Sequence, residues 1–182
     1  MATEVADDRR AQVRSYIQHN ATKSAGDMLD MIQEEHERLL SLVAGLSDEQ
    51  ATFKPAADEW SVLDTLTHVV AGKKGVARLA AALAKGEKPP AVGGEGETQK
   101  QDGVKGRDYA SLADVIAAIN AAHDELTAFL RQVSDESNSE LTHPHFIFGD
   151  LNCREWAVFQ RVHDRDHGGQ IASVIAAPGF PA

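Results

Sequence analysis

Glu155-Trp156-Ala157-Val158-Phe159-Gln160-Arg161-Val162-His163-Asp164-Arg165-Asp166-His167 is the stretch on which the reading of this chain turns. Its apolar and imidazole residues recur every three or four positions, the period of an α-helix. On a wheel of about 100° per residue, Trp156, Phe159, His163, His167, Gln170 and Val174 share one face. Two histidines therefore stand one turn apart within a mostly apolar stripe. A buried imidazole left without a partner costs about 1–3 kcal/mol. Two so placed suit a single metal ion, for which histidine is the commonest ligand. The alternative is that both simply pack in the core. A metal site needs a third ligand from elsewhere.

Outward from this helix the chain reads as all-α. Residues 23–46 carry Met28, Met31, Ile32, Leu39, Leu42, Val43 and Leu46 at helical spacing. Ser47 opens a short turn, and Pro55 breaks the chain. Residues 60–85 form the second long helix, with Ser61 as N-cap and Asp64 in the capping-box position. Residues 111–133 form the third, capped by Ser111 with Asp114 three positions on. The fourth starts at Asn152, with Glu155 at the capping-box position, and runs to about Ala176 before Pro178-Gly179. Four amphipathic helices predict a four-helix bundle. Residues 87–107 contain five glycines and read as a long crossover loop between the second and third helices. Residues 1–22 read as an N-terminal arm or short helix, whose apolar spots are Val13, Tyr16 and Ile17; residues 23–182 form the bundle domain. The only extended signal is His145-Phe146-Ile147-Phe148.

Net charge is −10, from 28 acidic and 18 basic residues. Without a basic cluster, phosphate neutralisation is not available, so no nucleic-acid or anionic-lipid partner is expected. No run approaches the ~20 apolar residues of a membrane span. Cys153 is the one cysteine, so no intrachain disulfide can form. That, with an opening Met-Ala-Thr-Glu-Val-Ala-Asp-Asp-Arg-Arg that lacks an apolar signal core, leads us to expect a cytoplasmic protein. Cys153 sits where a helix dipole lowers a thiol pKa, but it points away from the His163 face.

Candidates for a third ligand are few. His68 lies about 160° from Leu66 on the second helix, which makes it an edge residue by the wheel alone. His36, among Glu34, Glu35 and Glu37, and His123, beside Asp124 and Glu125, read as solvent-facing. His143 and His145 flank Pro144 in a loop ahead of the fourth helix, and His19 lies in the polar N-terminal stretch.

Two segments resemble the DinB-like superfamily of four-helix proteins, related to thiol-dependent S-transferases and maleylpyruvate isomerases. One is Glu59-Trp60-Ser61-Val62-Leu63-Asp64-Thr65-Leu66-Thr67-His68. The other runs from His143-Pro144-His145-Phe146-Ile147-Phe148-Gly149 through Trp156, His163, His167 and Gln170. The resemblance, over roughly residues 24–176, implies a metal held by one histidine of the second helix and two of the fourth, which map onto His68, His163 and His167. It also implies an unusual helix order and a homodimer. Three imidazoles leave positions open for water or substrate, and they accept a divalent transition metal such as zinc, nickel or iron. The expected function is a metal-dependent transferase or hydrolase of thiol S-transferase type. It would act on a small electrophile, with a low-molecular-weight thiol as partner. The alternative is a non-catalytic metal-binding or stress-response bundle. Asp64 and Asp166 are expected to orient the ligand imidazoles, and Gln170 to hold a ligand water or substrate.

Overall fold

The computed structural model describes residues 2–89, 109–133, 137 and 139–182. Most of the glycine-rich crossover expected over 87–107 lies outside these residues. The order of elements is α1 (Ala2–Ala21), α2 (Ala25–Val43), α3 (Asp48–Thr52), α4 (Val62–Ala84), α5 (Leu112–Leu130), β1 (Thr142–His145), β2 (Gly149–Asn152) and α6 (Cys153–Ile175). The long helices α2, α4, α5 and α6 form the expected four-helix bundle. In it α4 packs on both α5 and α6, and α2 packs on α6 and less extensively on α5. The long helices α2 and α4, successive in the chain, thus sit diagonally across the bundle.

Side-chain caps start these helices where the sequence places them. Ser61 accepts from Asp64 N while Asp64 accepts from Ser61 N. Asn152 and Glu155 make the same reciprocal pair at α6, as do Ser47 and Gln50 at α3. Each satisfies backbone N–H groups that a helix start leaves unpaired. Ser111 accepts from Asp114 N at α5, and Ser24 caps α2.

The core is divided. One apolar cluster gathers Met28, Ile32, Val76, Ala80, Leu126 and Trp156 with their neighbours. The other gathers Leu39, Leu66, Val70, Ile119 and Ile171 with theirs. Between the two, every helix of the bundle contributes buried polar residues: Glu35 and His36 from α2, Lys73 from α4, His123 from α5, and Gln160 and Asp164 from α6. Lys73 and Asp164 are an ion pair with neither side chain exposed. Gln160 Nε2 donates to the other carboxylate oxygen at 2.7 Å.

Two expectations need correction. His36 and His123 do not face solvent. Their rings stack at 3.8 Å between centres and 3° between planes, and both are buried. Their outer nitrogens reach the exposed amides of Asn120 (3.0 Å) and Gln33 (2.6 Å). Next, the segment around His145-Phe148 is not one extended run. It is a hairpin in which Thr142 pairs with Asn152 and His145 with Gly149. Phe146, Ile147 and Phe148 form its turn, and Gly149 takes the left-handed conformation (φ 71°) that favours glycine. Of the two readings of the N-terminal segment, the helix rather than the arm is found, over Ala2–Ala21. It packs on α6, with Ile17 fully buried. Arg154 of α6 donates to the carbonyls of Ala21 and Lys23 at and just past its C-terminal turn.

Burial holds the His36 imidazole below its ordinary range and pushes that of His123 down to about 3, with Lys73 adding to both shifts. Unfolded imidazoles recover a pKa near 6.5 and bind protons the folded state cannot. The contribution of His123 to stability is therefore fully present above about pH 6.5 and lost as pH falls toward about 3, and that of His36 also falls away below about pH 6.5. His36→Asn/His123→Asn is expected to flatten the fall in stability between pH 6.5 and about 5. It should not abolish it, because His68 and His145 are depressed as well. Denaturant midpoints across this range measure the slope; an unchanged slope would contradict burial as neutral rings.

Candidate metal centre

The two helices that start on the capping boxes at Ser61 and Asn152 pack side by side, and their inward faces bring three histidines together. His68 stands in the second turn of α4; His163 and His167 follow one another on α6. Ring centres are 4.4 Å apart for His163 and His167, 4.8 Å for His68 and His167, and 5.2 Å for His68 and His163. One nitrogen from each ring lies within 4.8 Å of the other two, and His68 Nε2 is 3.2 Å from His163 Nε2. All three side chains are half-buried. The wheel alone places His68 at an edge; because α4 is covered by α5 on one side and α6 on the other, that edge faces the α4–α6 seam.

The environment disfavours protonation of His68 and His167. Burial pushes His68 down to about 4, and its two histidine neighbours add to the shift. Burial and His163 likewise lower His167, against opposing effects of Gln170, Asp166 and Asp164. Neutral rings keep a lone pair for a cation at pH 7, which a protonated cluster would not. Gln170 Oε1 lies 3.0 Å from His167 Nδ1, so it accepts that N–H and leaves Nε2 as the free donor of a lone pair. Gln170 thus orients the His167 ring rather than reaching past it.

The expected carboxylate supports are arranged differently. Asp64 is spent on the α4 cap and on Lys54, whose Nζ is 2.9 Å away. Burial acts to raise its pKa, but the Ser61 bonds and Lys54 prevail and hold it low. Asp166 is exposed and acts on His167 only through its charge. The carboxylate beside the cluster is Asp164, with Oδ1 3.9 Å from His163 Nδ1. The sequence does carry a signal for it: an aspartate next to the histidine, and a lysine, Lys73, amid the apolar residues of the helix that faces it.

Aromatic rings border the cluster. Trp60 lies nearly parallel to His167 (11°, centres 6.4 Å apart) and edge-on to His68 at 5.2 Å. Phe159 stands 5.8 Å from His163 and 4.4 Å from His145, a buried ring beside the turn of the hairpin. Trp156 Nε1 donates to His143 O, fixing the hairpin to α6. His143 and His145 belong to this aromatic wall and not to the three-nitrogen cluster. Cys153 is fully buried, and burial raises its thiol pKa against the pull of Arg154 and the helix start. It has none of the character of a reactive thiolate.

This chain belongs to the DinB superfamily, whose family model matches residues 31–171, a span that carries all three histidines. The uncharacterized protein YuaE of Bacillus subtilis (strain 168) is 28% identical over 140 residues, covering 71% of this chain and 86% of that one. The crystal structure of TT2238, a four-helix bundle protein, superposes with a TM-score of 0.62 at 19% identity, covering 82% of this chain and 99% of that one. At that identity the likeness speaks for the fold alone.

Gly72, one turn beyond His68, makes room for the cluster. A Cβ placed there would lie 2.7 Å from His163 Cε1 and 3.2 Å from its Nε2. Glycine inside a helix is otherwise disfavoured by about 1 kcal/mol relative to alanine. Gly72→Ala is therefore expected to destabilise the native protein yet stabilise the His163→Ala variant by up to about 1 kcal/mol. A double-mutant cycle read by denaturant unfolding checks this; the same sign in both backgrounds would show that the ring does not need the gap.

Proposed function

We propose that His68, His163 and His167 hold a divalent transition metal. We further propose that the protein is a metal-dependent transferase or hydrolase of thiol S-transferase type, acting on a small electrophile. The observation that carries the reading is the convergence of three imidazole nitrogens within 4.8 Å. Zinc, nickel and iron all accept imidazole, and three protein ligands are the number found in catalytic rather than closed structural sites. A metal so bound acts as a Lewis acid that lowers the pKa of a water or thiol sharing the site.

The chain's own residues prepare that chemistry. Burial keeps His68 and His167 unprotonated, so neither has to lose a proton before a cation binds. Gln170 fixes the His167 tautomer. Gly72 admits the His163 ring close to α4. Trp60 and Phe159 present apolar faces beside the ligands, which reduces water access and strengthens electrostatic effects at the site. The same Trp60 coverage favours a second reading, in which a metal is held without turnover.

Protein purified without an affinity tag is expected to carry about one equivalent of a transition metal. Each single replacement of His68, His163 or His167 by alanine should weaken binding by more than the ~10–100-fold typical of losing a supporting hydrogen bond. Elemental analysis and competition with a chelating dye measure both. Wild-type protein that takes up no metal, or a His163→Ala variant that binds as tightly, would sink the metal reading. Thiol-consumption assays with low-molecular-weight thiols and reactive acceptors then separate the two roles, and turnover that vanishes with His163→Ala supports the enzyme.

A further inference from the structure

The ion pair between Lys73 and Asp164 has no part in the three-nitrogen cluster, yet it touches it. Asp164 directly follows His163 on α6, and its carboxylate turns into the bundle rather than toward solvent. One oxygen is held by Lys73 of α4 and the other by Gln160 at 2.7 Å. That second oxygen, Oδ1, is also the one 3.9 Å from His163 Nδ1. His163 Nδ1 is itself buried and has no hydrogen-bond partner among the described residues. Among those residues, the group at hydrogen-bond distance from this ring is His68, on the Nε2 side.

An imidazole with one nitrogen facing a fixed carboxylate and the other facing a ligand cluster carries its proton on the carboxylate side. A carboxylate in a dry interior stays in place and ionised only if a cation is supplied with it. Lys73 supplies that cation from the helix that also carries His68 and Gly72. Replacing a buried pair by apolar residues of similar shape is often neutral for stability, so stability alone is weak grounds for retaining one.

We propose that Lys73 and Asp164 are positioning residues for the metal centre: Lys73 anchors Asp164, and Asp164 fixes His163 as its Nδ1–H tautomer, so that Nε2 is presented to the site. The inference names the support of the site proposed above and rests on that reading for its function, but its core can be read without metal.

The test compares wild type with Lys73→Met/Asp164→Leu, in which no lone charge is left buried. Nitrogen-15 NMR of the metal-free proteins reports the His163 tautomer, and cobalt(II) titration reports affinity and the visible absorption of the bound ion. We expect wild type to show the Nδ1–H form, the double variant to lose that preference, and cobalt affinity to fall by roughly 10–100-fold with an altered spectrum. Thermal unfolding should show the double variant still folded. Should leucine not be accommodated, Lys73→Met/Asp164→Asn keeps the shape of both chains and should give the same changes in weaker form. An unchanged tautomer, or unchanged cobalt affinity in a folded double variant, would overturn the proposal. Wild-type protein that shows the expected tautomer dependence but takes up no cobalt would leave the positioning intact and remove the metal reading instead.

Discussion

The buried ion pair of Lys73 and Asp164 constrains the rest of the bundle. Two charges withdrawn from water cost several kcal/mol each unless they meet. Here they meet between α4 and α6, at a level where α2 and α5 place the stacked rings of His36 and His123. Apolar clusters lie on either side of this layer. Sliding one helix by a turn would set a charge or an imidazole against aliphatic side chains. The register of all four helices is thus tied to one polar stratum, much as a single polar position sets the register of a coiled coil. The histidine cluster inherits this register, because Lys73 follows Gly72 on α4 and Asp164 follows His163 on α6.

Helix starts are legible in the sequence because a cap is a local device. Ser61 with Asp64 and Asn152 with Glu155 announce themselves within four residues and need nothing from the fold. The His163/His167 pair is legible for the same reason. His68 is not, since its role depends on which side of α4 meets α6, a matter of packing order. His36 and His123 mislead because their charged neighbours suggest solvent. On a helix Glu34, Glu37 and Asp124 point outward while the rings turn inward with Glu35, and the two rings stack across α2 and α5. Asp64 illustrates the limit from the other side: it stands one turn from His68, as a supporting carboxylate would, but the helix start claims it first.

The fold and the site carry different information. A bundle of this kind is shared with a protein only 19% identical, which indicates how loosely the helical frame restricts sequence. The requirements of the site are tighter. It needs histidines on two neighbouring helices, space for one ring, an acceptor for another, and an environment dry enough to keep His68 and His167 uncharged. Half-burial meets the last condition while leaving an edge of the cluster open, and Trp60 and Phe159 line that edge with surfaces that neither donate nor accept strongly.

His68 and His163 are 95 positions apart in the chain. Any ion joining them would close a loop spanning all of α5 and the hairpin. An ion bound by the folded chain and released by the unfolded one would stabilise the bundle by its binding free energy. Held in this way, α4 and α6 would separate last when the molecule opens, so a small ion at one seam could lengthen the lifetime of the whole bundle.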